Sequence, residues 1–303
     1  MSPIEFVCVG SIIIDDIVYP DGRTDMAVLG GGVTHCAAGV TVWNVRPTML
    51  ASIGTGLPPE IQARLERAFD LTYVRHLDLP QIRAWQVFEW DGRRSEIFRV
   101  EDYHSFLIDP LPDDVPPAVR DARAVTVLRY ADDFLRFREV FSEATIFWEP
   151  DQYFMVPENL AALQAALPKA DIVSPNLLEA GLTYGEKEPQ TILRRMLDDG
   201  AKVVALRMGE LGSLVAQQGV PDFLHIPAVP VPKVIDVTGA GNAYCGGFLV
   251  GWQRTRDLRL ASCYGAVSAS FAVETVGVLD ATIPNFAQTR DERLAWLQAQ
   301  VPV

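Results

Sequence analysis

Three turns carry the residue types best suited to chemistry in this chain. The first lies in Val234–Trp252, VIDVTGAGNAYCGGFLVGW, where an apolar strand end gives way to a glycine-rich turn and then to a helical apolar run. Gly239, Ala240 and Gly241 can leave several backbone N–H groups aimed at one spot at a helix N-terminus. Unpaired donors and the helix dipole favour an anion there, although a plain strand-to-helix link needs the same residues. Asp236 and Asn242 flank the turn. The second is Ser174–Glu179, SPNLLE, in which Asn176 can cap a helix while Glu179 bonds back, an asparagine version of the capping box. The third is Arg207–Gly212, RMGELG, which taken by itself is a turn between the apolar runs VVAL and SLV. Near the start, Asp15 and Asp16 follow a strand end, where carboxylates can bind hydroxyl groups or sit in a solvated turn. Gly30, Gly31 and Gly32 open the helix-like VTHCAAGV, where glycine permits close approach of a ligand or tight packing.

The elements that must position these turns follow from hydrophobic periodicity. Strands are expected over Phe6–Ile13, Thr48–Ile53, Ala124–Leu128, Thr145–Trp148, Ile172–Ser174 and Val203–Leu206, with amphipathic segments between them, the pattern of a parallel sheet covered by helices. Ile61, Leu65 and Ala68 repeat at helical spacing after Pro58-Pro59. Leu160, Leu163 and Leu167 do so after Pro157, and a helix carrying Ile192, Leu193, Met196 and Leu197 stops at Gly200. One stretch breaks the alternation: Ile82–Trp90 and Arg94–Val100 read as two strands around the hairpin turn Asp91-Gly92, an insertion that suggests a lid. Its alternation puts Trp85, Val87 and Glu89 on one face, which a substrate, the main domain or a second subunit must cover.

Composition narrows the function classes. Among 303 residues, 26 Lys and Arg stand against 39 Asp and Glu, a net charge of −13, which argues against a general basic surface for nucleic acid but leaves room for a local phosphate pocket. Met1–Phe6 lacks the basic residues of a secretory leader, and the longest apolar stretch, Leu260–Val273, falls short of the ~20 residues needed to cross a bilayer. A cytoplasmic protein that binds no membrane is therefore expected. The four cysteines, Cys8, Cys36, Cys245 and Cys263, form no CxxC pair and read as buried thiols, and the four histidines form no zinc-binding spacing. No strand is followed by GxGxxG and no GxxxxGK occurs, so neither a nicotinamide-dependent dehydrogenase nor a P-loop kinase is expected.

The order of the pieces resembles the ribokinase-like PfkB family of carbohydrate and nucleoside kinases from Gly10 to about Gly277. The residues that carry the likeness are the early GSIIID, Gly30-Gly31, Asn176-x-x-Glu179, Gly209-x-x-Gly212 and the late Asp236-x-Thr238-Gly239-Ala240-Gly241. The resemblance implies one domain over residues 1–303 with a three-layer α/β/α architecture, a mostly parallel central sheet, and a small β lid from parts of about 14–32 and 82–104. It implies ATP and Mg²⁺ as cofactors, a sugar or nucleoside as acceptor, a homodimer formed through the lid, and, as in some members, a monovalent cation near Asp236. Asp15 resembles the residue that binds sugar hydroxyls, and Gly30 and Gly31 the glycines that line that pocket. Asn176 and Glu179 resemble the pair that organises Mg²⁺, water and the phosphates, with Glu179 reaching the metal through water. Gly239, Ala240 and Gly241 resemble the anion hole for the transferring phosphate, with Arg207, Gly209 and Gly212 beside the nucleotide.

Several positions depart from that pattern. The family motif ends in an aspartate that takes the proton of the substrate hydroxyl, and this chain has Asn242 there. An amide can orient a hydroxyl but is not a competent base near neutral pH, and general-base catalysis contributes about 10² to 10⁴-fold. Phosphoryl transfer rests largely on positioning and on charges around the phosphate, which leaves transfer open. His35 stands where the signature usually has Asn and could bind substrate, replace the base, or simply pack; Asp15 or Asp16 could also serve as base. Arg207 stands where Thr or Lys is common, and Gly54-Thr55-Gly56 where Asp often follows Gly. The expectation is thus an ATP-dependent phosphotransferase to a hydroxyl of a sugar, nucleoside or similar acceptor, with reduced activity in view. The alternative is an impaired nucleotide- or sugar-binding pseudokinase that senses or assembles.

Overall fold

Strands whose alternate residues are all apolar must be covered on both faces, and two packed layers of helices do this here. A computed structural model describes residues 4–90, 94–99, 110–281 and 285–301. Its main sheet has eight strands in the order Leu224–Ile226, Ser213–Gln217, Val203–Arg207, Ile172–Val173, Thr145–Pro150, Ala124–Arg129, Phe6–Val9 and Thr48–Leu50. From Val203–Arg207 onward neighbouring strands pair in parallel; the Ser213–Gln217 strand pairs antiparallel with both of its neighbours. Phe6 and Cys8 point into one core with the helices Gly32–Thr41, Ala240–Thr255 and Leu258–Ala272. Val7 and Val9 point into the other with Ala131–Val140 and Pro189–Asp198. The expected three-layer α/β/α architecture around a mostly parallel sheet is therefore present.

A second sheet of four strands, in the order Thr24–Gly30, Ile13–Val18, Arg83–Phe88 and Arg94–Phe98, stands apart from the first. Two expected strands turn out to straddle sheets. The run Phe6–Ile13 leaves the main sheet after Val9 and enters the small sheet at Ile13, and at Gly10, between the two, a Cβ would lie 2.9 Å from that of Val33. Likewise Thr48–Ile53 divides into Thr48–Leu50 in the main sheet and Ser52–Thr55, which pairs with Arg75–Pro80. A continuous apolar run hides such a change of sheet, since both halves are apolar for different reasons.

The small sheet also reverses an expectation about its faces. In Arg83–Phe88 the buried side chains are Ala84 and Gln86, while Trp85 and Val87 are half-buried, and the Arg99 guanidinium lies 5.4 Å from the Trp85 ring centroid. The apolar face is the more exposed one because the polar face turns towards a cavity rather than to solvent. Asp91-Gly92 and residues 100–104, part of the expected lid, lie outside the described residues. The stretch Val234–Val237 forms no strand, and Val234 and Val237 are exposed. All four cysteines are buried, and among the described residues no helix is long and apolar enough to cross a membrane.

Candidate active site

The helix Ala240–Thr255 begins at Gly239, whose φ of 72° lies in the left-handed region that favours glycine. A Cβ on Gly239 would lie 2.0 Å from Nδ1 of His35, and one on Gly241 would lie 2.0 Å from Nη1 of Arg207. The helix start is thus seated on two side chains, so a side chain at Gly239 would have to displace the His35 ring and one at Gly241 the Arg207 guanidinium. The first N–H groups of a helix have no acceptor within it, so this end offers donors and a positive dipole to the cavity it faces. Asp236 steadies the approach to the turn: its carboxylate accepts from the N–H of Thr238 at 2.9 Å and from that of Gly277 at 3.5 Å.

Three strand ends converge beneath this helix. Asn242 donates from Nδ2 to Oε2 of Glu149 at 2.9 Å, and the other oxygen of Glu149 pairs with Nη1 of Arg207 at 2.7 Å. Nη2 of Arg207 donates to the Ser174 carbonyl at 2.8 Å. Burial works against the charge on Arg207, but the carboxylates of Glu149 and Glu179 outweigh it and push its pKa up. Asn176 and Glu179 form the expected capping box: Oδ1 of Asn176 accepts from the Glu179 N–H at 2.8 Å, and Oε2 of Glu179 accepts from the Asn176 N–H at 3.2 Å. Burial raises the Glu179 carboxyl above its ordinary range and does the same to Asp151. Gly209 and Gly212 sit at the two ends of one tight turn with φ of 62° and 85°, and a Cβ on Gly212 would lie 2.0 Å from the Ile226 carbonyl oxygen.

At the opposite end, Asp15 and Asp16 separate sharply. Asp16 is fully buried and takes two hydrogen bonds of 2.6 Å from Arg83, one of 2.9 Å from Arg99 and one of 2.9 Å from the Ala27 N–H. Burial pushes its pKa up, but these bonds together outweigh it and hold the carboxyl below the usual range. Such a carboxylate is a structural anchor for the small sheet, which removes it as a substitute base. Asp15 instead lines the cavity and accepts from Nε2 of Gln86 at 3.0 Å. The same Gln86 nitrogen reaches Oε1 of Glu96 at 2.8 Å, and Oε2 of Glu96 accepts from the Tyr153 hydroxyl at 3.3 Å, tying the small sheet to the loop that follows Thr145–Pro150.

The two glycines expected beside Asp15 have different places. Gly31, with φ of 94°, lines the cavity, and a Cβ there would lie 2.3 Å from the Ser11 carbonyl oxygen. Gly30 is not on the cavity wall, because the space its side chain would fill holds the Asp15 carboxylate, whose Oδ2 is 1.8 Å from the ideal Cβ position. His35 is buried against the Gly239 backbone and also reaches the wall.

One cavity of about 1420 Å³ joins these regions, lined by Asp15, Gly31, His35, Asn176, Glu179, Arg207, Gly209, Gly212 and Gly239–Asn242. Single-ligand pockets run to about 1,000 Å³, so the volume suits two molecules bound side by side. Glu149, Gln86, Glu96 and Tyr153 also line it and were not singled out from sequence. Glu149 had one signal: a polar residue at the carboxyl end of an apolar strand, where ligands bind in open α/β sheets. Among the described residues no group of three or more His, Cys, Asp or Glu forms a metal cage.

Comparison with known proteins agrees with the fold. Residues 148–285 match the model of the pfkB family carbohydrate kinases. The cytidine kinase of Thermococcus kodakarensis is 26% identical over 84% of this chain and 91% of its own length. The fold matches the Methanocaldococcus jannaschii nucleoside kinase, described as an archaeal member of the ribokinase family, with a TM-score of 0.74 and 19% identity over 97% of this chain and 98% of that one. A putative ribokinase II from E. coli, solved in complex with ATP and Mg²⁺, gives a TM-score of 0.76 and 19% identity over 95% of this chain and 99% of that one.

Proposed function

Because residues 148–285 match the pfkB family of carbohydrate kinases, we propose that the chain belongs to that family and transfers the γ-phosphoryl group of ATP to a hydroxyl of a sugar, nucleoside or similar small polar acceptor. The observation that carries the reading is the single cavity that has the Gly239–Gly241 helix start between Asp15 at one end and the Asn176–Glu179 and Gly209–Gly212 turns at the other. The nucleotide lies along the second end, and the acceptor lies by Asp15 beneath the small sheet, which serves as a lid. The rings of Phe98 and Tyr153 on the acceptor side favour a nucleoside, whose planar base can stack on them.

In this reading the acceptor oxygen forms a bond to the γ-phosphorus as the bond to the β-phosphate oxygen breaks, and ADP leaves. The Gly241 and Asn242 amides receive the charge on the phosphoryl oxygens, preorganised donors being worth most where water is excluded. Asp15 accepts from acceptor hydroxyls, and Asn242 orients the attacking one. The hydroxyl proton, which an amide cannot hold, departs on the new phosphate ester. Asn176 and half-buried Glu179 would hold an Mg²⁺, Glu179 through a hard carboxylate oxygen, and the ion would supply charge neutralisation at the phosphates. Asp236 is committed to two backbone N–H groups, and the proposal includes no monovalent cation. A non-catalytic sensing role is not carried forward, since the relatives named for an activity are kinases.

Labelled γ-phosphate transfer from ATP·Mg²⁺ across a panel of nucleosides and sugars tests the proposal. A phosphorylated product is expected with at least one nucleoside. Folded protein that binds ATP but phosphorylates no member of the panel overturns it.

A further inference from the structure

An asparagine at a reacting hydroxyl can present a donor or an acceptor, and which end faces the hydroxyl decides what it can do there. Glu149 fixes that choice. Its carboxylate only accepts hydrogen bonds, and Oε2 stands 2.9 Å from the Asn242 amide, so the NH₂ end must face Glu149 and Oδ1 must turn away from it. Glu149 is itself held, since Oε1 is 2.7 Å from Nη1 of Arg207, and Arg207 is bonded to the Ser174 carbonyl and, through its backbone N–H, to that of Pro175. Glu149 and Arg207 are both largely buried, with side-chain exposures of 10% and 12%, so neither exchanges readily for water.

We propose that Glu149 is a positioning residue for phosphoryl transfer: clamped by Arg207, it holds the Asn242 amide with its oxygen towards the acceptor hydroxyl. The inference rests on the kinase reading above. It carries a consequence opposite to what replacement by a better base suggests. Asn242→Asp would set a second carboxylate about 2.9 Å from that of Glu149, and two like charges at that distance cannot both remain ionised at low cost. The substitution therefore damages the site unless Glu149 is neutralised with it. In Glu149→Gln/Asn242→Asp the polarity of the pair is exchanged: position 149 then carries the amide that donates, and position 242 the carboxylate that accepts. The exchange also returns a negative charge to the neighbourhood of Arg207.

The test is a double-mutant cycle on full-length protein over wild type, N242D, E149Q and the double variant, with kcat, the KM for ATP and the KM for the acceptor measured separately. Each single substitution should lower kcat with little change in the KM for ATP. The double variant should recover kcat by about tenfold over the value that independent effects predict, a coupling typical of residues in one hydrogen-bond network. Thermal unfolding of the same four proteins should show the same sign of coupling, and it needs no turnover. N242D faster than wild type, or effects on kcat that simply multiply, would overturn the proposal. Coupling in stability with no transfer by any of the four overturns the kinase reading, and with it the role in transfer, while keeping the pairing; transfer without coupling in either readout overturns the pairing and leaves the kinase reading standing.

Discussion

The two ends of the cavity are built on different physical plans. The end at Asn176, Glu179 and Gly239–Asn242 is made of helix starts and turns, so its backbone shape follows from residues within three or four positions of one another, while His35, Glu149 and Arg207 seat it from afar. The end at Asp15 is a relay of side chains, Asp15 to Gln86 to Glu96 to Tyr153, drawn from three strands of the small sheet and a loop. A site made from backbone termini has few ways to relax when altered. A relay of side chains can lose one member and close over with another or with water. Substitutions at the first end should therefore act chiefly on kcat, and those at the second on the acceptor term.

The largest effect is expected at Gly239. Alanine there must hold a left-handed backbone and place its Cβ 2.0 Å from the His35 ring, so the turn has to shift and carry the helix-start amides with it. Loss of one preorganised donor to a developing anion costs about 10²–10³ in rate, and Gly239→Ala should lower kcat by at least that much. Single-turnover transfer with saturating acceptor measures it, with circular dichroism to verify the fold. A fall confined to the KM for the acceptor would break the distinction between the two ends.

That distinction also explains what could be read from the chain. The glycines at 239 and 241 and the Asn176–Glu179 box are local patterns with local causes, and the structure brings them together at one cavity. Glu149 was not legible as Asn242's partner, because 93 positions separate them and only the convergence of their elements joins them. Trp85 and Gln86 show another limit. Period-two alternation separates the two faces of a strand but does not say which lies inside, and the rule that apolar faces turn inward fails where the inner side is a polar cavity. Asp15 and Asp16 look identical as neighbours in sequence; the arginines at 83 and 99 make the difference, and their reach depends on how the small sheet pairs.

A smaller effect than that of Gly239 is expected from Asp15. Asp15→Ala removes the carboxylate at the acceptor end and leaves Gln86 still bonded to Glu96. A hydrogen bond to a charged group is worth about 1.5–3 kcal/mol, so kcat/KM for the acceptor should fall by about 10- to 150-fold. The KM for ATP should stay close to the wild-type value. Initial-rate kinetics with each substrate varied in turn separates the two, and an equal rise in both KM values would mean that the cavity does not divide as described.

The smallest effect, and the sharpest contrast, belongs to the adjacent residue. Asp16→Asn leaves Arg83 and Arg99 facing an amide in place of a carboxylate, while Asp15 and the cavity wall remain. Because both arginines are about a third or more exposed, solvent screens the pairs, and the stability lost near neutral pH should be only about 1–2 kcal/mol. The folded-state pKa of Asp16 lies below its unfolded value. Its contribution is therefore fully present above the ordinary aspartate pKa of about 3.9 and is lost as the pH falls through the lower folded value. Denaturant unfolding of wild type and Asp16→Asn should differ at pH 7, and the gap should narrow steadily once the pH drops below that range. Acceptor kinetics at neutral pH should stay near those of wild type, since no atom of Asp16 lines the cavity. A gap in stability that persists unchanged into acid, or a loss of acceptor binding equal to that of Asp15→Ala, would show that the two carboxylates work as one unit and that the small sheet's anchor belongs to the acceptor site itself.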